Sequence, residues 1–404
     1  MSENFIKTIQ LALFGLFFLG KTQAQAPPRC GIDFFRDRSS PPASQADLSS
    51  SVLQNRSVIV IPVVIHVVWN KQAENISNEQ ILSQIEVLNE DFRATNVEIS
   101  GIPQVFKNKV ADVEIEFCLA DKDPIGNPTN GITRTFTQNS IGIGGTAALH
   151  YTSQGGKDAW DTKRYLNIWV CKFAGGIGGT ASFPGEGLPA EDGVEIDYRQ
   201  FGTINTPPPY HLGRTATHEI GHYLNLEHVW GPNITSCCED DFIADTPAAC
   251  ETYLGECPTH PVQSCTEPDM FMNYMFYTDD ACMGMFSLGQ KNRMLATLNG
   301  FRSGLLTSNG CLPVVTNEPS TGDEVTIFQN PFSTSFSFEI MSDKQETRTA
   351  RLYDLTGRLL FQKTLKTNEL ITWQTGGLPA GMFCLMIKDQ EGNQRMIGKV
   401  VRIF

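Results

Sequence analysis

The chain has 404 residues, 41% hydrophobic and 19% charged, which suits two or three well-buried globular domains and excludes wholesale disorder. A formal charge of −13, with no cluster of Lys and Arg, excludes the basic stripe that a phosphate backbone requires, so no nucleic-acid partner is expected.

Residues 1–24 read as an export signal: Lys7, an apolar run from Ile9 to Leu19, then the small-residue exit Thr22-Gln23-Ala24. That run is short of the ~20 residues that a spanning helix needs, and no other segment reaches that length, so no stable membrane insertion is expected. Eleven cysteines in an exported chain point to disulfides, and seven of them lie between Cys237 and Cys311. An odd total leaves at least one thiol outside a bridge, and Cys30 is the candidate. Residues 25–56 are polar, aperiodic and rich in Ser, Pro, Asp and Arg, the character of a pro-segment.

The expected catalytic region spans 57–312. Val58 to Trp69 reads as a strand buried on both faces, with His66 as a core histidine. Asn75 to Phe92 follows as an amphipathic helix, because Ile81, Ile85, Leu88 and Phe92 recur at helical spacing, and Ser77 with Gln80 makes a capping box. Val113–Leu119 and Tyr165–Phe173 are two further strands; Cys118 and Cys171 within them are either bridged or buried thiols. Gly175 to Pro184 is either an exposed edge with which an extended substrate pairs through its backbone, or a plain loop.

Three of the seven histidines then fall within eleven residues, in Thr217-His-Glu-Ile-Gly-His-Tyr-Leu-Asn-Leu-Glu-His228. On a helix turning about 100° per residue, His218 and His222 lie roughly 40° apart and grip one ion, with Glu219 on the same rim. His228 completes a three-imidazole set only if the chain turns back near Asn225. Such a set leaves the fourth tetrahedral position open to water, the mark of a catalytic rather than a structural zinc. Zinc there lowers the pKa of its water and polarises a carbonyl, and Glu219 is the expected general base. Downstream, in Asn273-Tyr-Met-Phe-Tyr277, Tyr277 is placed to donate to a developing oxyanion and Met275 to pack beneath the ligands. Cys30 suggests a latency switch, because a thiolate can occupy the open position until cleavage near Arg56 releases it.

These motifs together resemble the metzincin metallopeptidases, and within them the pappalysin family in its bacterial cytophagalysin and ulilysin branch. The resemblance covers roughly Ile61 to Cys311, including Ile61-Pro-Val-Val-Ile-His-Val-Val68, Leu88-Asn-Glu-Asp-Phe-Arg93, Gly213-Arg-Thr-Ala-Thr-His218, Asp245-Thr-Pro247 and Asp279-Asp-Ala-Cys282. It implies an α+β catalytic domain of α/β character, with a mixed twisted sheet and helices above the cleft and an irregular, disulfide-braced subdomain below. By position it implies His218, His222 and His228 as zinc ligands, Glu219 as acid/base, Met275 as the Met-turn residue and Tyr277 as the transition-state tyrosine. It also implies the bridges Cys238–Cys265 and Cys257–Cys282, with Cys237 and Cys250 as extras whose pairing stays open because Cys237 and Cys238 are adjacent. Calcium is implied near the disulfide-rich loop, where Asp240, Asp241, Asp245 and the Thr246 carbonyl are hard oxygen donors. The chain departs from the family pattern twice. Asn225 stands where Gly is usual, at a position needing a left-handed backbone that Asn tolerates. Phe276 stands where Asp is frequent, which leaves Asp279 and Asp280 either to line an acidic pocket favouring Arg or Lys after the cut, or to be solvated loop acids.

Residues 313–322 have linker composition. Beyond them, 323–404 alternate in short segments such as Phe336-Ser-Phe-Glu-Ile340 and Met382-Phe-Cys-Leu-Met-Ile387, the pattern of a small all-β sandwich. Phe328-Gln-Asn-Pro-Phe332, Leu352-Tyr-Asp-Leu-Thr-Gly-Arg358 and Gly398-Lys-Val-Val-Arg402 resemble the C-terminal sorting domain of exported proteins using the type IX secretion route, whose machinery is then a partner. The expectation is a secreted, extracellular or cell-surface zinc metalloendopeptidase acting on proteins or peptides. The competing reading is an adhesin or binding module with a structural zinc, against which an intact Glu219 and Tyr277 speak.

Overall fold

The apolar run after Val58 becomes β1 (Ile59–Trp69), with every residue from Ile61 to Val68 buried. The structure, a computed structural model, describes residues 29–31, 58–231, 239–311, 324–328, 334–343, 345–354, 358–375, 377–379, 381–388 and 394–402. The expected signal peptide and linker lie outside the described residues, and of the expected pro-segment only Arg29–Gly31 is described.

β1 is the middle of a mixed sheet. β2 (Ile115–Leu119) and β3 (Ile132–Phe136) share one of its edges, and β4 (Leu166–Cys171) takes the other, all three parallel to it. β5 (Gly179–Ala181) and β6 (Val194–Asp197) complete the order β2-β1-β4-β6-β5, with β6 parallel to β4 and β5 the antiparallel edge. Parallel neighbours on both sides explain why β1 is continuously apolar rather than alternating. β2 begins two residues later than its apolar run suggests, because Glu114 takes a left-handed φ of 62°.

α1 (Asn78–Phe92) buries Ile81, Ile85, Leu88 and Phe92 in the main core, each contributing about 2 kcal/mol. It starts at Asn78 rather than Asn75 because Ser77, in an extended conformation, is its N-cap, and a separate 3-10 turn at Gln72–Glu74 precedes it. Only half of the expected capping box exists. Ser77 accepts from the Gln80 amide at 3.2 Å, while the Gln80 side chain donates instead to the Tyr198 and Phe201 carbonyls. α2 (Arg214–Tyr223) is buried at every residue, and α3 (Leu288–Asn299) starts from a full box between Ser287 and Gln290.

His66 is the core residue expected. It is fully buried, with Nδ1 at 2.7 Å from the Thr133 hydroxyl and Nε2 at 3.0 Å from the Asn167 side-chain oxygen, and burial lowers its pKa to about 4. A neutral ring with one donor and one acceptor nitrogen satisfies both contacts.

Cys118 bridges Cys311, tying β2 to the end of the catalytic region, and Cys257 bridges Cys282 as the resemblance implied. Cys250 and Cys265 are also disulfide-bonded; Cys237 and Cys238 lie outside the described residues. Cys30, Cys171 and Cys384 keep their thiols.

The C-terminal region is a two-sheet sandwich. β7 (Glu324–Phe328), β8 (Ser335–Met341) and β11 (Leu370–Gln374) form one antiparallel sheet. β9 (Thr347–Asp354), β10 (Leu359–Lys366), β12 (Gly381–Lys388) and β13 (Gln394–Arg402) form the other. The alternation expected at Phe336, Phe338 and Ile340 points these three inward against Trp373, Leu352 and Leu385.

Candidate active site

α2 carries His218, Glu219 and His222 in its last two turns and then breaks. The Leu226 amide donates to the Gly221 carbonyl, and Asn225 adopts φ 75°, the left-handed conformation expected where Gly is usual. This turn brings His228 back over the helix. The three Nε2 atoms stand 3.1 Å (His218 to His222), 3.1 Å (His222 to His228) and 3.3 Å (His218 to His228) apart.

Three imidazole nitrogens cannot all hydrogen-bond to one another. They can all face one ion: tetrahedral zinc with Zn–N bonds near 2.05 Å sets its nitrogens about 3.3 Å apart. The far side of each helical ring is committed accordingly. His218 Nδ1 donates to the Tyr274 carbonyl and His222 Nδ1 to the Leu226 carbonyl, both at 2.7 Å, which leaves each Nε2 as a lone-pair donor. Burial, then the neighbouring His222 and Arg29, hold the His218 pKa well below its usual value, so the ring is neutral as a ligand must be. The residues present fit zinc.

Beneath them lies Met275, fully buried, with its amide donating to the Asn273 side chain at 2.9 Å. A Cβ on Gly221 would come within 2.5 Å of the Met275 sulfur, so the Gly of the histidine motif exists to let the methionine approach. The Tyr277 ring lies 4.9 Å from that of His228 and 4.7 Å from that of Trp230, beside the ion position. β5 closes the other wall: a Cβ on Gly179 would come within 2.9 Å of Glu219 Cγ, which explains glycine in this edge strand.

Of Gly175–Pro184, Gly179–Ala181 is an edge strand and the rest is turn and loop; the edge is paired and largely buried rather than exposed. Gly31 donates its amide to the Gly179 carbonyl at 2.7 Å, and Gly179 donates back to the Arg29 carbonyl at 3.0 Å, so Arg29–Gly31 runs parallel to β5 across the cleft. Cys30 Sγ and the ligand nitrogens of His218, His222 and His228 all lie within 4.8 Å of one another, and Sγ is 3.5 Å from Glu219 Oε2. The guanidinium of Arg29, also buried, pairs with the Asp280 carboxylate and stacks 4.4 Å from the Tyr210 ring centre. Burial lowers the Arg29 pKa to about 10, which leaves it charged.

Asp280 is thus no solvated loop acid. It is fully buried, and its other oxygen accepts from the Leu212 amide at 2.8 Å. Asp279 is half-buried and caps the short turn at Ala281. The carboxylates among the expected calcium donors are engaged in hydrogen bonds within the protein. Asp241 accepts from Thr246 Oγ1 at 2.8 Å and from the Ile243 amide, whereas Asp245 accepts from Ser287 and from the Gly289 amide at the start of α3. Among the described residues, the one group of His, Cys, Asp and Glu able to hold a metal is Cys30 with the three histidines. Arg29 and Tyr210 were not singled out from the sequence; adjacency to Cys30 was the available signal for the first, and none existed for the second.

A family model described as pregnancy-associated plasma protein-A matches residues 150–299, and one described as a secretion system C-terminal sorting domain matches residues 326–402. An extracellular metalloprotease of Arthroderma benhamiae is 28% identical over 294 residues, covering 70% of this chain and 92% of that protein; one of Arthroderma gypseum is 30% identical, covering 65% and 80%. The solved structure of mature mirolysin from Tannerella forsythia, in complex with a cleaved peptide, is 45% identical with a TM-score of 0.58, covering 62% of this chain and 97% of that one. A promirolysin mutant of the same organism is 44% identical with a TM-score of 0.57, covering 62% and 86%. The catalytic fold, the histidine geometry and these relatives agree: the chain belongs to the pappalysin family of secreted zinc metalloproteases and carries a type IX secretion sorting domain.

Proposed function

We propose that His218, His222 and His228 hold the catalytic zinc of a metalloendopeptidase, with Glu219 as general base and Tyr277 as oxyanion donor. The observation that carries this is the triangle of Nε2 atoms at 3.1 to 3.3 Å with Glu219 on its rim. Zinc bound there supplies a Lewis acid for the scissile carbonyl and a water of lowered pKa. Glu219 would accept a proton from the attacking water and pass it to the leaving amine. β5 offers its edge to an extended peptide, as it does to Arg29–Gly31.

The same reading makes residues 25–56 an inhibitory pro-segment following a signal peptide at 1–24, with 57–312 as catalytic region, 313–322 as linker and 323–404 as sorting domain. Cys30 would take the open position of a zinc held by the three histidines, and Arg29 lies on Asp280 where a basic substrate side chain would otherwise pair. Peptide substrates rather than nucleic acid follow from the −13 charge; among the described residues, no helix is long and apolar enough to cross a membrane.

The Arg29–Asp280 pair also indicates preference. A buried carboxylate already paired with a guanidinium would select Arg or Lys after the cut. Cleavage profiling of the processed enzyme on a peptide library tests both activity and preference. Wild type should cut before basic residues, and Asp280→Asn should lower kcat/KM for those peptides about 10- to 100-fold, the worth of a charge-assisted contact. Cleavage without preference, or preference unaltered in the variant, removes Asp280 from this role.

Calcium belongs to the same proposal, with Asp241, Asp245 and the Thr246 carbonyl as donors. Burial raises the Asp241 carboxyl well above the usual range, a cost that a bound cation would offset, although both oxygens of Asp241, like both of Asp245, already accept hydrogen bonds. Millimolar calcium should raise the Tm of the zinc-loaded protein by a few degrees, on the order of 1 to 2 kcal/mol. Asp241→Asn should abolish the rise, and a wild-type Tm insensitive to calcium removes the ion.

A further inference from the structure

One charged group next to the zinc site has no part in the chemistry described so far. Asp91, in the last turn of α1 and within the Leu88-Asn-Glu-Asp-Phe-Arg93 motif, is buried and points at the base of α2. Its Oδ1 accepts from the Tyr274 hydroxyl at 2.7 Å and its Oδ2 from the Thr217 hydroxyl at 2.7 Å. Arg214, at the start of α2, stands 3.4 Å from Oδ1 and pairs with Glu98 at 2.9 Å.

Both hydroxyl partners lead to the same ligand. Thr217 immediately precedes His218, and the Tyr274 carbonyl is the group that accepts from His218 Nδ1. A single carboxylate therefore holds the backbone from which the ligand projects and the residue that fixes its ring rotation. Keeping a charge here is costly: burial pushes the Asp91 carboxyl up to about 6, against the pull of Arg214, Thr217 and Tyr274. Apolar side chains of similar volume would join α1 to α2 without that cost, but would aim neither hydroxyl.

We propose that Asp91 is a positioning residue for the zinc site, clamping Thr217 to Tyr274 so that the His218 imidazole is held with Nε2 toward the ion. It touches neither the metal nor the substrate. Its effect passes through two hydrogen bonds to the flank of His218 and one from the ring to a carbonyl. Partners that orient ligands in this indirect way typically alter metal affinity 10- to 100-fold when removed.

The proposal rests on the three-histidine zinc reading, and the experiment separates the two. Zinc affinity is measured on the full chain by competition with a chromophoric chelator, and the visible spectrum is recorded after cobalt substitution, for wild type, Asp91→Asn and Tyr274→Phe. Failure of wild type to bind one zinc tightly defeats the histidine reading itself. With wild-type binding established, both variants should lose about 10- to 100-fold in zinc affinity and show an altered cobalt ligand-field spectrum. Tyr274→Phe removes one hydroxyl and keeps the carbonyl, so it decides the matter even if Asp91→Asn fails to fold. A lowered Tm with wild-type zinc affinity and an unchanged cobalt spectrum would show a merely structural role and overturn the proposal.

Discussion

Glu219→Ala is expected to lower peptide hydrolysis by about 10³- to 10⁴-fold while the protein keeps its zinc. The three imidazoles, not the carboxylate, form the nitrogen triangle, and two of them are held by carbonyl groups that the substitution leaves in place. Glu219 is fully buried on the helical turn between His218 and His222, so truncation removes the proton acceptor without opening the helix. Zinc content by atomic absorption, read beside casein hydrolysis by the processed enzyme, checks it. Wild-type turnover in the variant would dismiss Glu219 as base. Zinc lost along with activity would instead make the carboxylate part of the metal site. A processed wild type that binds zinc and cleaves nothing would return the chain to the adhesin reading.

Cys30→Ala should make the unprocessed chain prematurely active. Arg29–Gly31 is anchored at three points: the backbone pair with Gly179, the guanidinium on Asp280, and the thiol beside the three histidines. Only the thiol lies beside the three ligand nitrogens, where it would occupy the metal's open position. Its removal takes away one of the three anchors and opens the ion position to water, so substrate competes better with the segment for the β5 edge, and activity before processing should rise on the order of 10- to 100-fold. Arg29→Ala combined with Cys30→Ala should raise it further, because the second anchor then also goes. A fluorogenic protein substrate, assayed with gels to show that residues 25–56 are still attached, measures this. Unchanged latency in the single variant would sink the switch.

The zinc site was legible because it is local. His218, Glu219 and His222 need only helical geometry, and Asn225 needs only its tolerance of a left-handed backbone to return His228 to the same ion. The sandwich was legible for the same reason, since alternation at Phe336, Phe338 and Ile340 reports directly on which face is buried. The half-formed cap of α1 shows where local pattern fails. Ser77 acts as expected, but Gln80 is drawn to carbonyl groups more than a hundred residues away, which need a donor once buried. Cys118 and Cys171 looked equivalent in their strands. Only Cys118 lies at the sheet edge that the chain passes again at Cys311, whereas Cys171 is sealed inside.

By itself the sequence singled out the three-histidine set and the base proposed here, and determined the turn at Asn225 and the two-part architecture, because helical phase, strand alternation and αL tolerance act over a few residues. The tertiary structure decided the rest. It made Asp280 a buried counter-charge for Arg29 across 251 positions, turned the glycine run into the cleft's edge strand, and joined Asp91 to Thr217 across 126. Those pairings are set by which surfaces exclude water when the chain closes. A buried charge needs its partner close in space, and nothing in its sequence neighbourhood records where that partner lies.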